Sequence, residues 1–197
     1  MEHQTVIAET DRLILRRYKK EDLQDLFAYL SDAEVVKYEP HRPLTLEETE
    51  EALQWRMGTE EMIAVELKDS HRLIGNVYMG KREFETGELG FVFHRSYWGH
   101  GYAAESCSAL IQQAFSKGVH RICAECDPRN ERSWRLLEAL GFQREGHLRQ
   151  NVYFWKDEAG APLWKDTYLY AELNDAAAAR YGPGDGPGAG LSAVRLS

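Results

Sequence analysis

The chain reads as an α+β domain, a layered α/β arrangement built on a mixed, mostly antiparallel sheet of about seven strands. Three observations predict this class. Apolar alternation of period two and apolar stripes at helical spacing succeed one another as strand, helix, helix, three strands, helix, strand, helix and two strands. The three consecutive strands are joined by short turn segments, which makes an antiparallel meander the economical arrangement. The third of them enters a helix through a glycine turn, and the strand after that helix lies parallel to it, since a right-handed strand–helix–strand crossover returns in the same direction.

Each element has its own warrant. Leu13 and Leu15 alternate with Ile14 and Arg16 in a first strand, and a helix begins near Glu21 with Leu23, Leu26, Phe27 and Leu30 on one face. Ser31-Asp32 ends it, and residues 35–43 are irregular because Pro40 and Pro43 exclude a helix. Thr45-Leu46-Glu47-Glu48 has the form of a capping box before a helix that carries Ala52, Trp55 and Met57. Residues 62–67, 73–79 and 88–93 form the meander, with Asp69-Ser70 and Glu85-Thr86-Gly87 as turns. Its last strand alternates Leu89, Phe91 and Phe93 with Gly90 and Val92, and the next helix shows a stripe of Cys107, Leu110, Ile111, Ala114 and Phe115. Residues 121–126 are a strand, residues 131–140 a helix stopped by Gly141, and residues 147–155 and 167–173 a hairpin around Lys156-Asp157-Glu158-Ala159-Gly160. From Asn174 the composition changes to alanine and then Gly182-Pro183-Gly184-Asp185-Gly186-Pro187-Gly188, with little to bury. Residues 1–173 are therefore expected to be one domain and residues 174–197 a flexible tail.

Composition narrows the function. With 197 residues, 43% hydrophobic and 28% charged, the chain has length for a full core. No apolar run nears the roughly 20 residues that cross a bilayer, and the polar start is no secretory signal, so no membrane partner is expected and a cytoplasmic location is. A formal net charge of −8, with no basic stripe, argues against nucleic acid and mildly favours a cationic substrate, though it equally serves solubility. Cys107, Cys123 and Cys126 are read as reduced thiols. No second Cys or His pair follows Cys123-x-x-Cys126 at zinc spacing, so no metal is expected.

The richest segment is Trp98-Gly99-His100-Gly101-Tyr102-Ala103-Ala104-Glu105, between strand and helix. Small side chains let a ligand approach the backbone, and a helix start offers unpaired N–H groups and a favourable dipole, so the segment reads as an anion cradle or as an ordinary tight turn. Here the chain resembles the GNAT superfamily of acyl-CoA-dependent N-acyltransferases, from about residue 10 to residue 173. The superfamily motif Gln/Arg-x-x-Gly-x-Gly/Ala falls on Trp98 to Ala103, departing at its first position, where Trp98 replaces the polar residue. The form from Tyr97 to Glu105 resembles the branch of ribosomal-protein N-terminal (alanine/serine) acetyltransferases, which often has a lysine at the position of His100. Asn130-Glu131-Arg132-Ser133, then Leu137-Glu138-Ala139-Leu140-Gly141-Phe142 with Glu145-Gly146, is a second matching block, and Leu13 to Arg17 with its following helix a third.

The resemblance implies helices on both faces of the sheet, a splayed parallel strand pair and acetyl-CoA as donor. It places the pyrophosphate on the backbone of Gly99, His100, Gly101, Tyr102, Ala103 and Ala104, and the pantetheine arm along Phe91, Val92 and Phe93. An amide near Phe91 or Val92 would polarise the thioester carbonyl. It implies Ser133 as proton donor to the leaving thiolate and Asn130 as its cofactor- or water-binding companion, while both residues also suit a plain helix start. Cys126 falls beside the thiol site in that branch, or is structural. Arg129 and Arg132 are either contacts to the donor's terminal phosphate or solvated.

The base is less legible. The branch's glutamate position falls on Val152, and Glu88 is the replacement candidate, acting through water or else standing as a solvated or ion-paired strand residue. An α-amine of pKa ~8 is roughly a tenth neutral at pH 7 and a lysine-like amine of ~10.4 under about a thousandth, so a weak base leans toward low-pKa amines. Tyr38, Glu39, Trp55, Tyr153 and Trp155 come from segments that in the family wall the acceptor site; they form a cation-accepting pocket or serve core and dimer packing. The expected activity is acetyl transfer to a primary amine, either a protein N-terminus or a small amine such as an aminoglycoside, polyamine or amino acid, by a monomer or homodimer. A CoA-binding sensor with little catalysis is the alternative.

Overall fold

One eight-stranded sheet organises residues 5–174, the part of the chain described by the computed structural model. Across the sheet the strands run β1 (Val6–Glu9), β2 (Leu13–Arg16), β3 (Met62–Leu67), β4 (Leu73–Arg82), β5 (Thr86–Phe93), β6 (Arg121–Cys126), β8 (Pro162–Leu173) and β7 (Gln143–Lys156). Only β5 and β6 pair in parallel; the other neighbours are antiparallel. The expected seven strands are present, and β1 is the eighth. It is a four-residue edge strand whose pairing with β2 is interrupted by an irregularity between Val6 and Ala8.

Helices cover both faces. In β3 all six residues are buried, because alternate side chains enter two different cores. Ile63, Val65 and Leu67 join Leu13, Leu15, Val77, Leu89 and Phe93 beneath α3 (Tyr102–Ser116) and α4 (Glu131–Ala139), which contribute Cys107, Leu110, Ile111 and Leu137. Met62 and Ala64 join Leu73 beneath α1 (Leu23–Leu30) and α2 (Leu46–Gly58), which contribute Leu26, Tyr29, Leu30 and Leu53. One 3₁₀ turn (Lys20–Asp22) precedes α1, so the helix there starts two residues later than its apolar stripe predicts.

The predicted caps form. Thr45 Oγ1 accepts the Glu48 amide at 3.2 Å, and the Glu48 carboxylate accepts the Thr45 amide at 2.8 Å. Gly141, at φ +96°, ends α4 in the left-handed region. The hairpin strands run longer than predicted at both ends, and at the turn Asp157 Oδ1 accepts the Ala159 and Ala161 amides. Fully buried Arg16 forks onto Asp22 with two hydrogen bonds of 2.7 Å and also donates to Glu66, pinning the start of α1 to β3. Asn174, where the tail was expected to begin, is tied down: its amide donates to His120 O at 2.9 Å and its Nδ2 to the Phe115 and Val119 carbonyls. The rest of the expected tail, 175–197, lies outside the described residues.

Candidate active site

The parallel pair that holds the crossover is short. Its register is Thr86↔Arg121, Gly87↔Ile122 and Glu88↔Cys123, and then the two strands part. β5 itself continues to Phe93 against β4. Met79 donates to Glu61 on the β3 side and His94 donates to Ile74. By alternation, Glu88, Gly90 and Val92 turn their backbone polar groups toward β4. Phe91 and Phe93 turn theirs the other way, into the gap that β6 has left. The Phe93 carbonyl there accepts the Trp98 indole N–H at 2.8 Å. A half-paired strand at the carboxyl end of a parallel pair is an open hydrogen-bonding edge.

At the end of this gap lies the glycine turn. Gly99 (φ +78°) and Gly101 (φ +80°) both adopt the left-handed backbone, and around a Cβ added at Gly99 nothing lies within 4 Å. Gly101 is the N-cap of α3, and the first helical bond runs from the Glu105 amide to Gly101 O. The amides of Tyr102, Ala103 and Ala104 thus have no partner within the helix. His100 stacks on Tyr102 with ring centroids 5.9 Å apart.

A brace outside the motif holds the turn. Arg12, in the β1–β2 connection, donates to His100 O at 3.0 Å and to Glu105 at 2.7 Å, and its guanidinium lies 4.4 Å from the Tyr102 ring centre. Glu105 also accepts Thr10 Oγ1 at 2.5 Å and the Arg12 amide at 3.1 Å. Burial would raise the Glu105 carboxyl, but the hydrogen bonds from Thr10 and Arg12 and the Arg12 charge hold it below the usual range. This pair is separated by 93 residues, and no local spacing announces it. Trp98, the departure from the motif, is a second brace: besides bonding Phe93, its ring faces the Arg132 guanidinium at 4.4 Å. Arg132 therefore ties α4 to the turn, while Arg129 forks onto Asp127 at 2.7 and 3.0 Å.

On the opposite wall, α4 begins at Asn130, whose Oδ1 accepts the Ser133 amide at 3.3 Å; the helix-cap role is realised. The Ser133 hydroxyl shares a hydrogen bond with Cys126, the last residue of β6. Burial and the charge of Asp127 push the Cys126 thiol up to about 12 despite that bond, so it stays protonated at neutral pH. Through Arg132 and Trp98 the start of α4 is tied to the glycine turn, and through Ser133 and Cys126 to the end of β6.

Glu88 forms the last register pair before the two strands part, opposite Cys123, and Arg82 grips both its carboxylate oxygens at 2.6 and 3.0 Å. The aromatic and acidic residues expected to gather do not all line one cavity. Glu39 and Trp155 line one cavity of about 280 Å³. Tyr153 packs edge-on against Trp164, and Trp55 is 57% exposed. The Tyr38 hydroxyl donates to Arg129 O at 3.1 Å and so moors the α1–α2 loop to the connection between β6 and α4.

Residues 12–143 match the family model of the acetyltransferase (GNAT) domain. The chain belongs to the GNAT acetyltransferase family. It is 34% identical over 169 residues to an uncharacterized N-acetyltransferase, YnaD, of Bacillus subtilis, covering 84% of this chain and 96% of that one. A GNAT acetyltransferase from Bacillus anthracis has a similar structure, with TM-score 0.77 and 32% identity over 85% of this chain and 98% of that one. The ribosomal-protein-S5-alanine acetyltransferase of Vibrio fischeri is also similar, at TM-score 0.69 and 26% identity over 85% and 96%. The enzyme class is accordingly N-acetyltransferase, and the fold expected from the resemblance, with its splayed pair, is the one observed. No helix among the described residues is long and apolar enough to cross a membrane.

Proposed function

We propose that the chain moves an acetyl group from acetyl-CoA directly to a primary amine in the cytoplasm, with residues 1–173 acting as one acyltransferase domain. The observation that carries this reading is the parting of β5 and β6 beside a left-handed glycine turn, with Ser133 in the first turn of the helix that follows β6. The residues present fit the donor. Two glycines without side chains and three unpaired helix amides suit a pyrophosphate, and extended backbone at Phe91 and Phe93 suits a pantetheine amide ladder.

Acetyl-CoA, when bound, supplies an acyl carbon activated as a thioester. The Phe91 N–H, rather than that of Val92, faces the gap and would donate to the oxygen on which negative charge develops. Asn130 fixes the first turn of α4, which aims Ser133. The Ser133 hydroxyl gives its proton to the departing sulfur. The acceptor nitrogen must be unprotonated at the moment of attack. Glu88 is left out of this chemistry, since its charge is already matched by Arg82.

A thiol-release assay with acetyl-CoA, run against peptide N-termini and small amines, tests the reading. Saturable release that depends on an amine is expected, together with a thermal shift equivalent to ~2.7 kcal/mol at a hundredfold excess of acetyl-CoA over its Kd. A shift without turnover on any amine would leave a CoA-binding sensor in its place. Absence of both would remove the donor site altogether.

A further inference from the structure

The cavity between the α1–α2 loop and β7 is lined by Glu39 and Arg42, two opposite charges that form no ion pair among the described residues. Glu39 lines it, and among the described residues its carboxylate makes no hydrogen bond or ion pair. Burial pushes this carboxyl up against the pull of His41, Arg56 and Lys165. Arg42 lines the same cavity, likewise without an ion pair among the described residues. Its guanidinium lies 5.1 Å from the centre of the Trp155 ring, which orients it and leaves its donors free. Behind Glu39 stands Arg56, whose Nε is buried with no hydrogen-bond partner. Val36, Pro43 and Trp155 supply the apolar wall.

The cavity lies beside the connection that leads into Ser133. Tyr38, next to Glu39, bonds the carbonyl of Arg129, and Lys165, whose charge acts on Glu39, lies 3.4 Å from Asp127 at the end of β6. A partly buried carboxylate and an exposed, fork-shaped guanidinium line one cavity without an ion pair among the described residues, and together they suit a ligand that brings an ammonium and an anion side by side. A polyamine would add cations beside Arg42 and leave it without an anion. A peptide N-terminus offers an amide where Arg42 needs a carboxylate.

We infer that the acceptor is a small zwitterion of the α-amino-acid type with an apolar side chain, its ammonium held by Glu39 and its carboxylate by Arg42. This inference rests on the acetyl-transfer reading above. In the reaction the ammonium gives up two protons, the nitrogen forms the new C–N bond, and the C–S bond breaks with its electron pair on sulfur. One proton ends on the CoA thiol by way of Ser133 and the other in solvent, leaving an N-acetylamino acid.

The test is thiol release by the full chain with acetyl-CoA and three acceptor sets: the common L-amino acids, the same amino acids as amides, and putrescine with spermidine. The expected result is a kcat/KM for at least one apolar amino acid about tenfold or more above that of its own amide. Arg42→Ala should raise KM for that amino acid and collapse the ratio toward one, while KM for acetyl-CoA stays put. Arg42→Lys should restore the preference only in part. Glu39→Gln should raise KM for amino acid and amide alike. Preference for amides or polyamines, or an Arg42→Ala change equal for acid and amide, overturns the assignment while acetyl transfer stands. Failure to bind acetyl-CoA or to acetylate any amine overturns both.

Discussion

At Ser133 two roles share one residue: the amide closes the α4 cap on Asn130, and the hydroxyl meets the Cys126 thiol. Replacing it with alanine leaves the capped amide intact, so the helix start should survive while the proton donor is lost. For Ser133→Ala the expected outcome is a fall in kcat of about a hundredfold with KM for acetyl-CoA little changed. A kcat within about twofold of the parent would end the assignment. Glu88 gives the opposite prediction. A base must be free to take a proton, and this carboxylate is forked onto Arg82. Glu88→Gln should therefore leave the acidic limb of the kcat/KM profile in place. Loss of that limb would restore Glu88 as the base.

At the scale of elements, the glycine turn, α3 and the β1–β2 connection work as one unit. Gly101 sits at φ +80°, and a Cβ there would come within 3.4 Å of the Arg12 guanidinium, the group that holds the His100 carbonyl. An alanine is disfavoured in this backbone by roughly 1–2 kcal/mol. If the turn reshapes to relieve that cost, KM for acetyl-CoA in Gly101→Ala should rise by about five- to thirtyfold, with kcat at saturation less affected. An unchanged KM would mean that the cradle tolerates a different loop shape. The turn was legible in the sequence because small residues, a helix start and an alternating strand are local signals. The Arg12–Glu105 brace was not, since nothing local joins residues so far apart. β1 escaped for a different reason: four residues, VIAE, exposed at both ends, alternate too briefly to be told from a loop. The aromatic residues assigned to the acceptor segments come from the α1–α2 loop, α2 and β7. Which of them meet depends on the register of the β7–β8 hairpin, whose three irregularities no pattern reveals.

For the molecule as a whole, charge placement matters more than the net charge of −8. Several carboxylates bind the fold together across long sequence separations. Glu105 holds the β1–β2 connection to α3, Glu66 holds Arg16 and His71, Asp127 holds Arg129 and Lys165, and Glu145 holds Arg121. All four titrate below their usual values of 4.5 for Glu and 3.8 for Asp. In the first three, burial alone would raise the carboxyl and is outweighed by hydrogen bonds and cations; in Glu145 the bond from Arg121 leads. A carboxyl whose folded pKa is depressed binds its proton more readily in the unfolded chain. Its stabilisation is thus fully present above the unfolded pKa and drains away as pH falls through the folded one. Glu39 runs the other way, its raised carboxyl favouring the folded state once protonated, and it offsets part of the loss. The urea midpoint should accordingly change little from pH 7 to about 5 through these groups and drop steeply below about 4.5, as the unfolded carboxyls begin to protonate. Glu105→Gln should show a shallower drop, with lower stability at pH 7. A midpoint that held constant to pH 3, or a variant as steep as the parent, would show that these ion pairs titrate alike in both states and contribute nothing to the acid limit.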